Sequence, residues 1–150
     1  MIVAALFASL LSTSAFAPSP DLALYVREQA RVAGVPASLA ESVMQIESGG
    51  NVLATHENPD GTFDRGPWQL NDDSLPWLEK HLNGGEAINP YDQYESTRIA
   101  VRYLAYLRKR TGSWGGAVMA YNAGSWAVRV GAVPVATKEY AANVFALAAM

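Results

Sequence analysis

The sequence predicts a single, mainly α-helical domain with one loop-rich segment. Apolar residues recur at three- and four-residue spacing in several stretches, and Gly, Pro and Asn separate these stretches. The chain has 150 residues, about the length of one domain, and shows no internal repeat or low-complexity linker. Hydrophobic residues make up 50% and charged residues 17%, which supports a packed core and excludes an intrinsically disordered chain.

The composition also excludes several classes of function. Acidic residues number 14 against 11 basic ones, so the formal net charge is -3 and a basic nucleic-acid-binding surface is not expected. Cysteine is absent, which excludes disulfides, thiolate metal sites and cysteine nucleophiles. His56 and His81 are the two imidazoles in the chain, so we expect neither a metal site nor a cofactor.

The N-terminal segment is typical of an export signal. Residues 1–17 carry no charge, contain an apolar run from Ile2 to Leu11 and end on Ala15-Phe16-Ala17, a small-x-small pattern. We predict a signal peptide over residues 1–17 and a mature domain over residues 18–150 that is periplasmic or secreted. A basic residue near the start is missing, so a misassigned start and an uncleaved anchor are the alternatives. The apolar run is shorter than the ~20 residues that span a bilayer, which favours cleavage.

Two helices are predicted next. Asp21 is a suitable N-cap for a first helix that ends at Gly34. Its predicted inner face consists of Leu22, Val26, Gln29 and Ala33. A second helix begins at Pro36 and ends at Gly49-Gly50, and it buries Leu39, Val43 and Ile46. Glu47 therefore falls in the last turn of the second helix.

Turn signals dominate the segment from Asn51 to Asn71. Asn-Pro-Asp-Gly and Asp-Arg-Gly-Pro are strong turn sequences, and only short extended pieces such as Thr62-Phe63 lie between them. We predict a loop-rich lobe with a small hairpin. A short helix is expected over Asp72 to His81, started or interrupted by Pro76, and Asn83-Gly84-Gly85 ends it.

The C-terminal half is predicted to hold three more helices. The longest periodic segment runs from Tyr91 to Arg110 and ends at Gly112. Its predicted apolar face consists of Tyr94, Val101, Leu104 and Leu107. Ser113 is a suitable N-cap for a helix that reaches Asn122, and Thr137 is one for a final helix over residues 138–150.

Three common catalytic patterns are missing from the sequence. It contains no Gly-x-Ser-x-Gly elbow, no P-loop and no second His after His56-Glu57. The remaining candidate is Glu47, which follows apolar Met44 and Ile46 and precedes a polar turn. Partial burial would raise the pKa of this carboxyl group, as a general acid working near neutral pH requires. A solvated helix-end glutamate is the alternative.

Three short segments give this glutamate a context. They are Glu47-Ser48-Gly49-Gly50, Gly66-Pro67-Trp68-Gln69 and Ala120-Tyr121-Asn122-Ala123-Gly124. In order and approximate spacing they resemble the three motifs of the lysozyme-like lytic transglycosylase family, the soluble lytic transglycosylase catalytic domain. That family's pattern is Glu-Ser, then Gly-Leu-Met-Gln, then Ala-Tyr-Asn-Ala-Gly. Thr137-Lys138-Glu139-Tyr140 also resembles the family's terminal Thr-x-x-Tyr helix, so the resemblance covers roughly Leu22 to Val144.

The resemblance implies a lysozyme-like fold and a non-hydrolytic cleavage of peptidoglycan. Glu47 would protonate the leaving oxygen at the MurNAc-GlcNAc β-1,4 bond and then deprotonate the muramyl 6-hydroxyl, which closes a 1,6-anhydro ring. The implied substrate-binding and cleft residues are Ser48, Gln69, Tyr121, Asn122 and Tyr140. The Tyr140 hydroxyl is expected to donate a hydrogen bond to the Glu47 carboxyl group.

The resemblance also bears on partners. Peptidoglycan glycan strands are the implied partner. The protein is expected to be a monomer. The stretch Asp60-Gly61-Thr62-Phe63-Asp64 resembles the branch of the family that is associated with secretion systems, so a secretion-system or other envelope assembly is a further expected partner. Pro67-Trp68 departs from the family's Leu-Met, and because Trp68 adjoins Gln69 we predict that its ring stacks on a sugar. Core packing is the alternative for this tryptophan.

Two rival functions remain open at this stage. One is a hydrolytic muramidase of similar fold, which would use a second carboxylate. The candidates for it are Asp60, Asp64, Asp72 and Asp73, whose ordinary roles would be in turns and caps. The other rival is a non-catalytic glycan-binding or envelope-assembly module that kept the cleft. A pure binder has no need for a lone acid such as Glu47, which argues against this module.

Overall fold

Helices and one small sheet make up the part of the chain that the computed structural model describes, residues 17–149. The predicted signal peptide lies almost entirely outside these residues. Seven helices and three strands occur within them, so the mainly α fold class is confirmed. In chain order they are α1 Pro20–Ala33, α2 Ala37–Ser48, β1 Thr55–Glu57, β2 Phe63–Arg65, β3 Leu70–Asn71, α3 Leu75–Leu82, α4 Gln93–Thr111, α5 Trp114–Ala123, α6 Ser125–Arg129 and α7 Val135–Ala148. None of these helices is both long and apolar enough to cross a membrane.

The longest helix, α4, forms the centre of the packing. It packs against α1 and α5, while α2 lies against α1 and α7. The side chains that these helices bury completely include Val26, Val43, Ile99, Leu104, Leu107, Val118 and Val144. Each such side chain stabilises the fold by about 1.5–3 kcal/mol relative to an exposed position. The helices therefore form one core, and the end of α2 is held against α7.

Helix ends set by local sequence agree with the predictions. Gly34 and Gly112 adopt the left-handed conformation that ends α1 and α4, and the Ser113 hydroxyl accepts a hydrogen bond from the backbone N–H of Gly116. Gly49, with φ of 67°, ends α2 directly after the turn that contains Glu47. The position of the acid at a helix end is therefore confirmed.

Two predicted N-caps are wrong. Ser19 rather than Asp21 caps α1, because Pro20 is preorganised for the first helical position and the Ser19 hydroxyl accepts from the Leu22 N–H. The final helix likewise begins earlier, after Pro134, and this places Thr137 inside α7. The Thr137 hydroxyl is turned inward, where it donates to Asn122 at 2.6 Å.

Two further expectations about the helices need correction. Tyr94 was expected on the buried face of the long helix, but it is 43% exposed and packs edge-on against the Tyr25 ring near the start of α4. The sequence analysis did not predict α6, a five-residue helix directly after Gly124. A segment this short has too few turns to show helical periodicity.

The loop-rich segment folds into a three-stranded antiparallel sheet. Strand β2 pairs with β1 through Asp64 opposite His56, and with β3 through Asp64 opposite Asn71. The predicted hairpin is thus present, with one additional strand. Gly66 follows β2 with φ of 75°, and a Cβ atom at this position would lie 1.8 Å from the Pro90 carbonyl oxygen. Only glycine permits this close approach, which holds the sheet against the loop before α4.

Candidate active site

Glu47 lies where α2, α7 and the sheet converge. Because α2 packs against α7, Tyr140 is brought to Glu47 from 93 residues away along the chain. The Tyr140 hydroxyl donates to Oε1 of Glu47 at 2.5 Å. This is the contact that the resemblance implied. It orients the carboxyl group and leaves its second oxygen for another partner.

The surroundings of Glu47 favour the protonated acid. Burial raises the pKa of its carboxyl group from 4.5 to about 8, the hydrogen bond from Tyr140 opposes this shift, and the negative charge of Asp64 adds to it. Burial is the largest of these effects. Glu47 is therefore predominantly protonated at neutral pH, the state from which a general acid works.

Asp64 is the second carboxylate of the site. It lies on β2, only 5% of it is exposed, and it accepts a hydrogen bond from the Asn71 amide at 2.8 Å. The interpretation of Asp64 as a turn or cap residue is therefore wrong. In the segment Phe63-Asp64-Arg65 the central residue points to the opposite face from its neighbours, and this alternation was the sequence signal for its inward orientation.

The other three aspartates lie in different settings. Asp60 accepts hydrogen bonds from the backbone and hydroxyl of Thr62 within the β1–β2 turn. Asp72 pairs with Arg65 at 2.6 Å, and the Arg65 guanidinium lowers the pKa of this carboxyl group. Asp73 is exposed. The expected turn role is confirmed for Asp60. The Asp72 residue lies in a turn, but its carboxylate pairs with Arg65 and does not cap a helix.

Ser48 and Gln69 connect the end of α2 to the loop after β2. The Ser48 hydroxyl donates to the Pro67 carbonyl at 2.7 Å and accepts from the Gly50 N–H at 3.1 Å. The Gln69 amide nitrogen donates to the carbonyls of Ala54 and Gly66. Gln69 also has a φ of 49°, the one positive value among the non-glycine residues that the structure describes. Its backbone is therefore strained, a condition that clusters at functional sites.

Trp68 does not form a sugar-stacking surface. Its side chain is 0% exposed, and its indole N–H donates to the Thr97 hydroxyl on α4 at 2.8 Å. The prediction that its ring stacks on a sugar is therefore wrong, since no face of the ring reaches the surface. In the turn between β2 and β3 the Trp68 side chain is directed into the core, whereas its neighbour Gln69 is only partly buried.

Tyr121 and Asn122 have buried polar groups that join elements around the acid. The Tyr121 hydroxyl donates to the Trp68 carbonyl at 2.8 Å, and the Asn122 carbonyl oxygen accepts from Thr137. Burial and then the charge of Glu47 raise the pKa of Tyr121, so its hydroxyl stays protonated close to the acid. The motif on α5 thus holds both α7 and the loop between β2 and β3 in place around Glu47.

The site is built from acids, amides and hydroxyls. Among residues 17–149, no three His, Asp or Glu side chains are arranged so that they could hold a metal ion. The sequence analysis did not identify Asn71 and Thr97 as supporting residues, and it marked Thr137 without predicting its contact with Asn122. Each contact joins two different elements of the fold, so no pattern within one element indicated it. The chemistry available here is proton transfer by one partly buried, predominantly protonated carboxylic acid, Glu47, beside one further carboxylate, Asp64.

A mainly helical domain with a small sheet and a partly buried acid at a helix end is typical of a lysozyme-like protein. The chain belongs to the family described as Transglycosylase SLT domain, whose sequence profile matches residues 24–142. A solved structure of similar fold is the 70 kDa soluble lytic transglycosylase Slt70 from Escherichia coli, with 24% sequence identity and a TM-score of 0.69. The match covers 87% of this chain and 23% of that protein. No curated protein sequence matches the chain.

Removing the Tyr140 hydroxyl should raise the pKa of Glu47. In Tyr140→Phe the hydrogen bond that stabilises the ionised carboxylate is lost, whereas burial and the Asp64 charge remain. Activity that needs protonated Glu47 should then persist to higher pH. The measurement is the alkaline limb of the kcat/KM profile, with Tyr25→Phe as a control because Tyr25 lies on α1 and packs against Tyr94 on α4. An alkaline limb that is unchanged, or that moves to lower pH, would contradict this assignment.

Proposed function

We propose that this protein is a peptidoglycan lytic transglycosylase that cleaves the MurNAc-GlcNAc β-1,4 bond and leaves 1,6-anhydromuramyl ends. The observation that carries the proposal is Glu47, a partly buried carboxylic acid with a pKa of about 8 that is oriented by Tyr140. Membership of the transglycosylase SLT domain family supports the reaction class. The proposal assigns all proton transfer to this one residue.

In the first step Glu47 is the general acid. Its proton moves to the glycosidic oxygen as the bond to the anomeric carbon breaks, and the N-acetyl group of the muramyl unit helps to stabilise the oxocarbenium-like centre. Burial serves this step because it keeps the proton on Glu47 at neutral pH. The GlcNAc portion leaves with the proton.

In the second step Glu47 is the general base. The carboxylate takes the proton of the muramyl 6-hydroxyl, and that oxygen bonds to the anomeric carbon to close the anhydro ring. The proton that left Glu47 is thereby replaced, so the acid returns to its starting state. The reaction consumes no water, and the products together contain the same atoms as the substrate strand.

The remaining motif residues are proposed to shape the site. Ser48 and Gln69 lie at its rim, and hydrogen bonds between them and the muramyl unit stay a prediction. The Ser48 hydroxyl already spans Pro67 and Gly50, so its proposed contact would need the second lone pair of its oxygen. Tyr121 and Asn122 position α5 and α7, and Tyr140 positions the acid.

The runner-up function is a hydrolytic muramidase. The observation in its favour is Asp64, a buried carboxylate whose charge reaches Glu47. In a hydrolase this group would act as nucleophile or as the base for water. In the transglycosylase that we propose, Asp64 is a charge neighbour that raises the pKa of Glu47.

Asp64→Asn distinguishes these two functions. If Asp64 only tunes Glu47, the variant should lose less than about tenfold in activity, against about 10²-fold or more for loss of a catalytic acid or base. The alkaline limb of its pH profile should move to lower pH, because a charge that raises the pKa of Glu47 is removed. The measurement is kcat/KM on purified peptidoglycan across pH, with the exposed Asp73→Asn as the matched control. A folded variant that is inactive at every pH would favour the muramidase.

The proposed substrate sets where the protein works. Peptidoglycan lies in the cell envelope, so we propose that the protein acts in the periplasm or after secretion. The predicted signal peptide over residues 1–17 agrees with this location and stays a prediction. A secretion-system or other envelope assembly as partner, and a monomeric state, likewise stay predictions.

A further inference from the structure

Basic residues are concentrated in one part of the chain. The chain has 11 Lys and Arg residues, and seven of them lie within residues 96–138, a stretch that contains no Asp or Glu. The seven are Arg98, Arg102, Arg108, Lys109, Arg110, Arg129 and Lys138. The formal net charge of the whole chain is -3, so this stretch reverses the sign of the charge locally. Such an asymmetry indicates contact with an anionic partner.

Three of these basic residues are consecutive in the last turn of α4. They are Arg108, Lys109 and Arg110. The helix dipole by itself favours basic side chains at this position. Lys109 and Arg110 are exposed, however, and within residues 17–149 neither forms an ion pair with a carboxylate. The Arg108 guanidinium lies over the Trp114 ring, 5.7 Å from its centroid. Two unpaired positive charges thus lie beside a third that an aromatic ring holds.

An apolar groove adjoins this basic cluster. It has a volume of about 230 Å³, and Trp114 forms one wall of it together with Leu39 and Phe145. None of the residues that line the groove is charged, and 38% of Phe145 is exposed. Because Trp114 contacts Arg108 and also lines the groove, the charges and the apolar surface are continuous. We call this surface the basic–aromatic face, and it consists of Arg108, Lys109, Arg110, Trp114 and Phe145.

The basic–aromatic face lies at the opposite end of three helices from the candidate active site. Glu47 is in the last turn of α2, whereas the groove lies against the start of that helix, and the 12 residues of α2 span about 18 Å. Trp114 begins α5, and Tyr121 lies near its other end. On α7 the order is reversed, so Tyr140 precedes Phe145. A partner bound at this face would therefore leave Glu47 uncovered.

The composition of the face favours a lipid surface over a soluble anionic polymer. Lys and Arg pair with the phosphates of anionic headgroups, while aromatic rings lie at the boundary between headgroups and acyl chains. The long side chains of Lys109 and Arg110 can reach those phosphates as Phe145 enters the apolar layer. A soluble polyanion would pair with the charges but would leave the groove and the Phe145 ring exposed to water.

We propose that the basic–aromatic face docks this protein reversibly on a membrane surface that contains anionic lipid. Lys109 and Arg110 supply the attraction to the headgroups, and Phe145 with the groove supplies the apolar contact. Docking in this way directs Glu47 away from the lipid. The proposal does not rest on the proposed reaction, so Glu47→Gln should bind lipid as the parent protein does.

Sedimentation with lipid vesicles measures this binding. The full chain is mixed with vesicles of equal parts phosphatidylglycerol and phosphatidylcholine, or of phosphatidylcholine alone. Any lipid binding by the apolar residues 1–17 is then common to all variants. Each basic residue near an anionic surface contributes about fivefold in affinity, so Lys109→Ala combined with Arg110→Ala should bind the anionic vesicles about 10- to 30-fold more weakly. Lys80→Ala combined with Lys138→Ala removes the same charge from exposed positions on α3 and α7, and should bind as the parent does.

Phe145→Ala tests the apolar half of the face. It should weaken binding to the anionic vesicles about 3- to 10-fold, because an exposed apolar ring no longer enters the lipid. Equal binding of the parent protein to anionic and neutral vesicles would overturn the proposal. So would full binding by the protein that lacks Lys109 and Arg110. If that protein loses binding but Phe145→Ala does not, the face is electrostatic only and the lipid assignment is wrong. An enzyme that binds the vesicles but is inactive on peptidoglycan would refute the proposed function and leave this proposal standing.

Discussion

Glu47→Gln should lower activity on peptidoglycan by about 10²- to 10⁴-fold or more, the usual contribution of a general acid-base group. The variant keeps the size and shape of the side chain and retains an oxygen that can accept from Tyr140. It removes the ionisable carboxyl proton on which both proposed steps depend. The measurement is the release of soluble fragments from purified peptidoglycan at equal protein concentration. Turnover near that of the parent protein would refute the catalytic assignment and favour the non-catalytic module.

The stability of the same variant provides its control. In the folded protein the pKa of Glu47 is raised from 4.5 to about 8, so its contribution to stability is complete below pH 4.5 and is lost as the pH rises towards 8. A neutral amide does not incur this loss. Glu47→Gln should therefore unfold at the same temperature as the parent protein or a higher one at pH 8. Lost activity together with unchanged or raised stability is the expected pair of results.

Trp68→Ala should destabilise the protein by about 3–5 kcal/mol, the usual cost of emptying the site of a fully buried aromatic side chain. The indole is 0% exposed, and its removal also leaves the Thr97 hydroxyl without its donor. The loop before β3 would then lose this contact with α4. The measurement is the free energy of unfolding from urea denaturation.

Trp126→Ala is the matched control for this stability measurement. It removes the same side chain from a surface position, so the free energy of unfolding should change by only about 0.5 kcal/mol. A large loss of stability is thus expected for the buried Trp68 and a small one for the exposed Trp126. A stable Trp68→Ala protein with weakened glycan binding would restore the original interpretation of Trp68 as a sugar platform.

Features decided by neighbouring residues could be predicted from the sequence. Gly34 and Gly112 end helices because of their own backbone freedom, and Ser113 caps the helix that it precedes. The position of Glu47 in the last turn of α2 follows from Gly49 in the same way. Such signals act within one helical turn, so they do not depend on the rest of the fold.

Features decided by tertiary packing were predicted less well. Thr137 is a good cap residue by type, but its hydroxyl finds Asn122 across the core and the helix starts earlier. Trp68 adjoins a motif residue, yet α4 supplies both a hydrogen-bond acceptor and an apolar environment for its indole. Asp64 resembles a turn aspartate in the sequence, but it lies on β2 and accepts a hydrogen bond from Asn71 on β3. In each case the deciding partner lies on a different helix, strand or loop.

The central claim is that one carboxylic acid cleaves the glycan without water, and isotope labelling of the products tests it most directly. Purified peptidoglycan is digested in water enriched in heavy oxygen, and the fragments are analysed by mass spectrometry. A transglycosylase should yield muramyl ends that contain no heavy oxygen and are lighter than hydrolysis products by the mass of one water molecule. Reducing muramyl ends that carry heavy oxygen would contradict the claim and identify the protein as a hydrolytic muramidase.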